Sequence, residues 1–161
     1  MILAVSEKQM TIARTTLGNS GNGALPRPVS APTLPDVHAP DGSEIRFLLG
    51  IDQGTTRSSV VEVTLAAGQI SRPVRHRTVE ECWYVLSGTG DIWRAPETDG
   101  SGGQIDRVRP GDALAIPVGW AFQFKADDGA PLKFLCVTMP PWPGADEAVA
   151  VDQGGLGRPT V

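Results

Sequence analysis

A chain of 161 residues with 14 Lys plus Arg against 18 Asp plus Glu carries a net charge of −4. It has no basic run to meet a phosphate backbone and no apolar stretch long enough to span a bilayer, so neither a nucleic acid nor a membrane is an expected partner. With 40% hydrophobic residues it can bury one core, and 19 Gly with 14 Pro point to short strands joined by many turns.

Residues 1–42 are rich in turn formers. Met1-Ile2-Leu3-Ala4-Val5 is apolar, but Glu7, Lys8 and Gln9 follow at once. That run is shorter than a signal-peptide core, and a cytoplasmic protein is expected. A short strand is predicted around Met10 to Thr16. Beyond it, Asn19-Ser20-Gly21-Asn22-Gly23 cannot hold a helix or a strand. Pro26, Pro28, Pro32, Pro35 and Pro40 forbid a continuous ladder. The zone reads as an extended arm, with His38 as a surface or packing residue.

Residues 43–139 read as a run of strands. Glu44 to Leu49 precedes Gly50, and Ser58 to Leu65 is rich in β-branched residues. Val74 to Arg77 is short, whereas Glu81 to Leu86 is a strong strand closed by Ser87-Gly88. Asp91 to Ala95, Gln104 to Val108, Ala113 to Ile116, Ala121 to Lys125 and Leu132 to Thr138 complete the set. Regular spacing of short strands without an amphipathic helix predicts a sandwich or barrel. Residues 140–161 read as an irregular tail in which Trp142 docks on the barrel and Gly154-Gly155-Leu156-Gly157 is loose. Cys82 and Cys136 lack a metal-type spacing and read as two buried thiols.

Two segments carry a recognisable frame. GQISRPVRHRTVEECWYVLSG, from Gly68 to Gly88, resembles the first cupin motif. Its glycines fall on Gly68 and Gly88, its glutamate on Glu81, and its two histidine positions on Val74 and His76. The segment from Gly111 resembles the second motif, with Gly111, Pro117 and Gly119 in place and Phe122 where a histidine is usual. Gly88 and Gly111 stand where strands reverse, and glycine takes positive φ there freely. The resemblance covers residues 43–139. It implies an all-β double-stranded β-helix, the jelly-roll barrel of the cupins, with a ligand-sized mouth at one end.

In that family the motif histidines and glutamate gather on one metal. Here Val74 and Phe122 cannot ligate, which leaves His76 and Glu81, and a catalytic metal usually needs about three protein ligands. No cofactor is therefore expected, and the alternative is a weakly bound divalent metal on His76 and Glu81. Alternation places Val74, Trp83 and Val85 inward, with Phe122 and Phe124 on the opposite wall. Gln123 and Glu80 should face away, and Arg75 and Arg77 outward. Arg46 is the inward arginine candidate for a carboxylate ligand.

The resulting expectation is a cupin that binds a small, partly apolar molecule. As a metal-independent isomerase, cyclase or lyase, it would move a proton with His76 while Glu81 orients it. A non-catalytic ligand-binding cupin and a metal-dependent dioxygenase are the two other readings, the latter weakened by the missing histidines. An arm with few ways to bury its apolar residues alone predicts a homodimer.

Overall fold

A computed structural model describes residues 26–161 apart from residue 98. The strand expected around Met10 to Thr16 lies outside them. Eleven strands follow in chain order: β1 (Val37–His38), β2 (Glu44–Leu49), β3 (Ser59–Leu65), β4 (Val74–His76), β5 (Glu80–Ser87), β6 (Gly90–Ala95), β7 (Gln104–Val108), β8 (Ala113–Ile116), β9 (Ala121–Ala126), β10 (Leu132–Met139) and β11 (Ala148–Ala150). They pair antiparallel in a six-stranded sheet, β1-β2-β3-β10-β5-β8, and a five-stranded sheet, β11-β4-β9-β6-β7. This is the predicted all-β jelly-roll arrangement.

β1 and β11 fall at positions in the proline-rich arm and the tail where no strand is predicted. Each is two or three residues long and exists only because a stronger strand lies beside it. β1 pairs with β2, and β11 pairs with β4.

The core lies between the sheets. β5 alternates buried Glu81, Trp83 and Val85 with exposed Glu80, Cys82, Tyr84 and Leu86. β10 does the same with Leu132, Phe134, Cys136 and Thr138 inward. From the facing sheet, β9 contributes Phe122 and Phe124. A period of two on both sheets is what a two-layer core requires. Cys82 corrects one expectation: it is exposed, and only Cys136 is buried.

The tail corrects another. Residues 150–161 lie across the outer face of the five-stranded sheet. Leu156 N–H donates to Gln123 Oε1 at 2.9 Å, and Gln123 Nε2 donates back to Gly157 O at 3.0 Å. Gly155 packs so closely on the Trp93 indole that a Cβ would stand 2.1 Å from its ring. The glycine run is there for close approach, not for looseness. Trp93, Ala95, Ala121, Val151 and Leu156 form a second small core under it.

Gly88 turns the chain from β5 in one sheet to β6 in the other at φ 76°, and a Cβ there would meet Pro131 O at 2.1 Å. Gly88→Ala combines a left-handed backbone with a backbone clash. It should cost about 2–3 kcal/mol, read as a lower urea midpoint at unchanged slope.

Candidate site at the barrel mouth

β4 and β5 run in different sheets, and the turn between them brings His76 and Glu81 together at one end of the barrel. His76 Nδ1 stands 3.5 Å from Glu81 Oε1. The atom makes no hydrogen bond and is fully buried, so the site holds one unpartnered polar nitrogen. Glu81 is better served: Trp83 Nε1–H donates to Oε2 at 2.8 Å, and the Cys136 thiol is a second partner. His76 and Glu81 are 4% and 6% exposed.

Burial decides their protonation. It lowers the His76 pKa to about 4, against a smaller opposing pull from the Glu147 carboxylate. It raises Glu81 to about 7, against the hydrogen bonds from Trp83 and Cys136. In mildly acidic solution the two groups therefore stand as a neutral imidazole beside a carboxylic acid, because an ion pair would leave two charges poorly solvated.

The predicted wall residues surround this pair, but they fill the barrel rather than lining an open cavity. Trp83 stacks on Phe134 at 4.2 Å between ring centroids. It meets Phe122 and Phe124 edge-on at 5.6 and 5.4 Å. Val74, Trp83, Val85, Phe122 and Phe124 are each at most 3% exposed, which leaves no water-sized space against them. Phe134 and Cys136 complete the wall; Cys136 is the buried thiol expected from the sequence, whereas nothing local singles out Phe134, although the alternation of β10 points both inward.

The mouth itself is covered by the tail. The Trp142 indole lies edge-on to the His76 ring at 5.1 Å and is 37% exposed. Its backbone N–H donates to Ser59 Oγ at the start of β3. Trp142 thus docks on the barrel as expected, and the docking point is His76. Glu147 holds the strap down: its carboxylate accepts from Thr78 N, Val79 N and Thr78 Oγ1 at 2.6 to 2.8 Å. Although burial works against it, those bonds keep Glu147 below its usual pKa. No local motif marks Glu147 in the sequence, since its partners are nearly seventy positions away.

Arg46 is not at the site. It pairs across β2 and β3 with Glu62 on the outer face. Its guanidinium donates to Pro32 O at 3.0 Å and Glu44 Oε2 at 3.0 Å, tying the proline-rich arm to the sheet. The phase of β2 is set by the Ile45↔Val63 pair, which takes the inner face and sends Arg46 outward. Gln123 faces away from the site, beneath the tail, and Glu80 is exposed.

The donors present do not fit a metal centre. Val74 and Phe122 offer none, one oxygen of Glu81 is engaged by Trp83, and among the described residues no three His, Cys, Asp or Glu side chains gather. Outside the barrel a shallow cleft of about 480 Å³ runs between Arg72-Pro73 and the tail. Among the described residues no helix is long and apolar enough to cross a membrane.

The family model for a cupin domain matches residues 61–138. The uncharacterized protein MJ1618 of Methanocaldococcus jannaschii is 31% identical over 111 residues, covering 68% of this chain and 82% of that protein. Among solved structures, the polyketide cyclase RemF from Streptomyces resistomycificus is 24% identical, with a TM-score of 0.57 over 78% of this chain and 81% of its own. A conserved double-stranded β-helix protein from Klebsiella pneumoniae gives 18% and 0.55, covering 80% and 92% of the two chains. Oxalate decarboxylase from Bacillus subtilis gives 17% and 0.65, covering 81% of this chain and 33% of its own. With two motif frames, a two-sheet antiparallel barrel and these matches in agreement, the chain belongs to the cupin superfamily.

Proposed function

We propose that this cupin binds a small, partly apolar, ring-bearing molecule at the barrel mouth and moves a proton on it with Glu81 and His76, without a resident metal. The observation that carries the reading is the buried, unpartnered His76 Nδ1 beneath the partly exposed Trp142 indole. Because the interior is filled, a ligand gains access to His76 by taking the place of Trp142. A flat ring fits that place because one already occupies it.

The pKa values reverse the roles first expected of the pair. At about 7, Glu81 is the group matched to proton transfer near neutrality. His76, at about 4, stays neutral and serves as a hydrogen-bond partner that orients a substrate hydroxyl or carbonyl. Proton transfer of this kind suits an isomerase, cyclase or lyase. The same fold carries a protein named as a polyketide cyclase, which agrees with that class.

Calorimetric titration with indole, phenol and benzoate tests the reading. His76→Ala should weaken binding about tenfold, and Trp142→Ala should strengthen it by a similar factor because the competing ring is gone. Unchanged binding in His76→Ala would refute the site. Glu81→Gln that keeps binding and loses turnover marks an enzyme, whereas a wild type with binding and no turnover favours the non-catalytic cupin. Stoichiometric iron, manganese, nickel or zinc in protein purified without chelator would restore the metal-dependent dioxygenase reading.

A further inference from the structure

The cleft of about 480 Å³ outside the barrel takes no part in the chemistry at the mouth. Arg72 stands on its barrel wall and Arg158 on its tail wall, both exposed. The surface between them is largely apolar, from Pro73, Ala150, Val151 and Pro159. A smaller cleft of about 240 Å³ shares Ala150, Val151 and Asp152 with it and adds Arg75.

None of these three arginines forms an ion pair among the described residues. Arg72 donates to Pro40 O at 3.3 Å, which leaves most of its five N–H groups free. The Asp41 carboxylate feels the charge of Arg72 but accepts its hydrogen bonds from Ser43 N and Oγ, at 2.8 and 2.7 Å. Asp152 is the one carboxylate that lines either cleft, so the guanidiniums outnumber it.

Both walls are fixed in advance. Val151 N–H donates to Pro73 O at 3.0 Å, which ties the start of the tail to the residue before β4. Arg158 lies between two held positions: Gly157 O accepts from the buried Gln123 Nε2 at 3.0 Å, and Thr160 N–H donates to Ile70 O at 3.0 Å. A ligand therefore meets cations on a backbone that needs no ordering. A guanidinium takes a carboxylate through two parallel N–H···O bonds. One arginine on each wall calls for two carboxylates, and the apolar surface between them calls for a hydrocarbon link. Inorganic phosphate offers no such link.

We propose that this cleft is a second ligand site, for a dicarboxylate with a short hydrocarbon body held between Arg72 and Arg158. Such a ligand bridges the barrel and the tail. It binds independently of His76 and Glu81, neither of which lines the cleft.

Nuclear magnetic resonance titration of the ¹⁵N-labelled full chain with glutarate, at low ionic strength, tests the site. The Val151 and Gly154 amides should shift saturably while those of His76 and Trp142 stay in place, and His76→Ala should leave the affinity unchanged. Arg72→Gln and Arg158→Gln should each weaken binding about fivefold, as expected of solvent-exposed ion pairs. Asp152→Asn should tighten it about twofold, and butyrate, with a single carboxylate, should bind about fivefold more weakly than glutarate. If Arg72→Gln fails to fold, Arg158→Gln and Asp152→Asn carry the test. Unchanged affinity in Arg158→Gln overturns the proposal, as does butyrate binding as tightly as glutarate. Shifts at His76 and Trp142 in place of Val151 would put glutarate at the mouth and overturn it as well.

Discussion

Trp83→Ala is expected to destabilise the fold by about 4 kcal/mol, measured by urea unfolding followed by circular dichroism. The indole is 3% exposed and touches three other rings, so its removal leaves a hole bounded by Phe122, Phe124 and Phe134. Those rings come from both sheets and cannot collapse together without moving a strand. The hole is apolar and indole-shaped, and millimolar indole should raise the midpoint again by occupying it. Trp83→Phe separates packing from hydrogen bonding. It keeps most of the volume, loses the donor to Glu81 Oε2, and should cost about 1–2 kcal/mol. Loss of that donor also moves the Glu81 pKa further up, since the bond favours the ionised form. A Trp83→Ala cost below about 1 kcal/mol would mean that the barrel interior is not packed as described.

The second large effect is a pair of opposed pH dependences that conceal each other in the wild type. Glu81 is raised from 4.5 to about 7, so the folded state holds a proton that the unfolded state releases. Its contribution is present below pH 4.5 and is lost as pH rises to about 7. At about 1.4 kcal/mol per pH unit this is on the order of 3 kcal/mol. His76 is lowered from 6.5 to about 4, so the unfolded state takes up a proton that the folded state refuses. Its penalty is present below about pH 4 and disappears as pH rises to 6.5, again on the order of 3 kcal/mol. Between about pH 4.5 and 6.5 the two slopes cancel.

Each single variant exposes the slope of the residue that remains. Glu81→Gln should gain stability, relative to wild type, as pH rises from 4.5 to 7. His76→Gln should lose stability, relative to wild type, as pH rises from about 4 to 6.5. Urea midpoints at half-unit pH intervals give both differences and remove the contribution of other carboxylates common to all three proteins. Parallel profiles in the three proteins would show that His76 and Glu81 titrate as they do in water, and the proposed protonation states would fall with them.

Much of the barrel was legible because its signals are local. β2, β7 and β8 stand at the bounds read from the sequence, and the other strands within 43–139 differ by at most one residue at either end. Strand alternation placed Val74, Trp83, Val85, Phe122 and Phe124 inward, and the structure buries all five. The motif glycines Gly88 and Gly111 take positive φ, as their turn positions require.

The features missed depend on partners far along the chain. The sequence points Arg46 inward because β2 alternates only in part, and a register shift between Phe47 and Leu49 disturbs the period further. Gly154-Gly155 has no local preference, so the sequence alone predicts a loose tail. Its order comes from Gln123 and Trp93, more than thirty residues upstream. Glu147 and Trp142 carry no motif at all, yet they form the strap over His76.

Local spacing is enough to specify a degenerate cupin barrel, with His76 and Glu81 left where a metal set would be. Two motif frames and a period of two fix which residues share a face, and both are properties of neighbours along the chain. Long-range contacts fill the barrel, bring Trp142 over its mouth, and push the Glu81 pKa up to about 7 while lowering that of His76 to about 4. Those outcomes follow from burial, and burial depends on which distant segments meet across the two sheets.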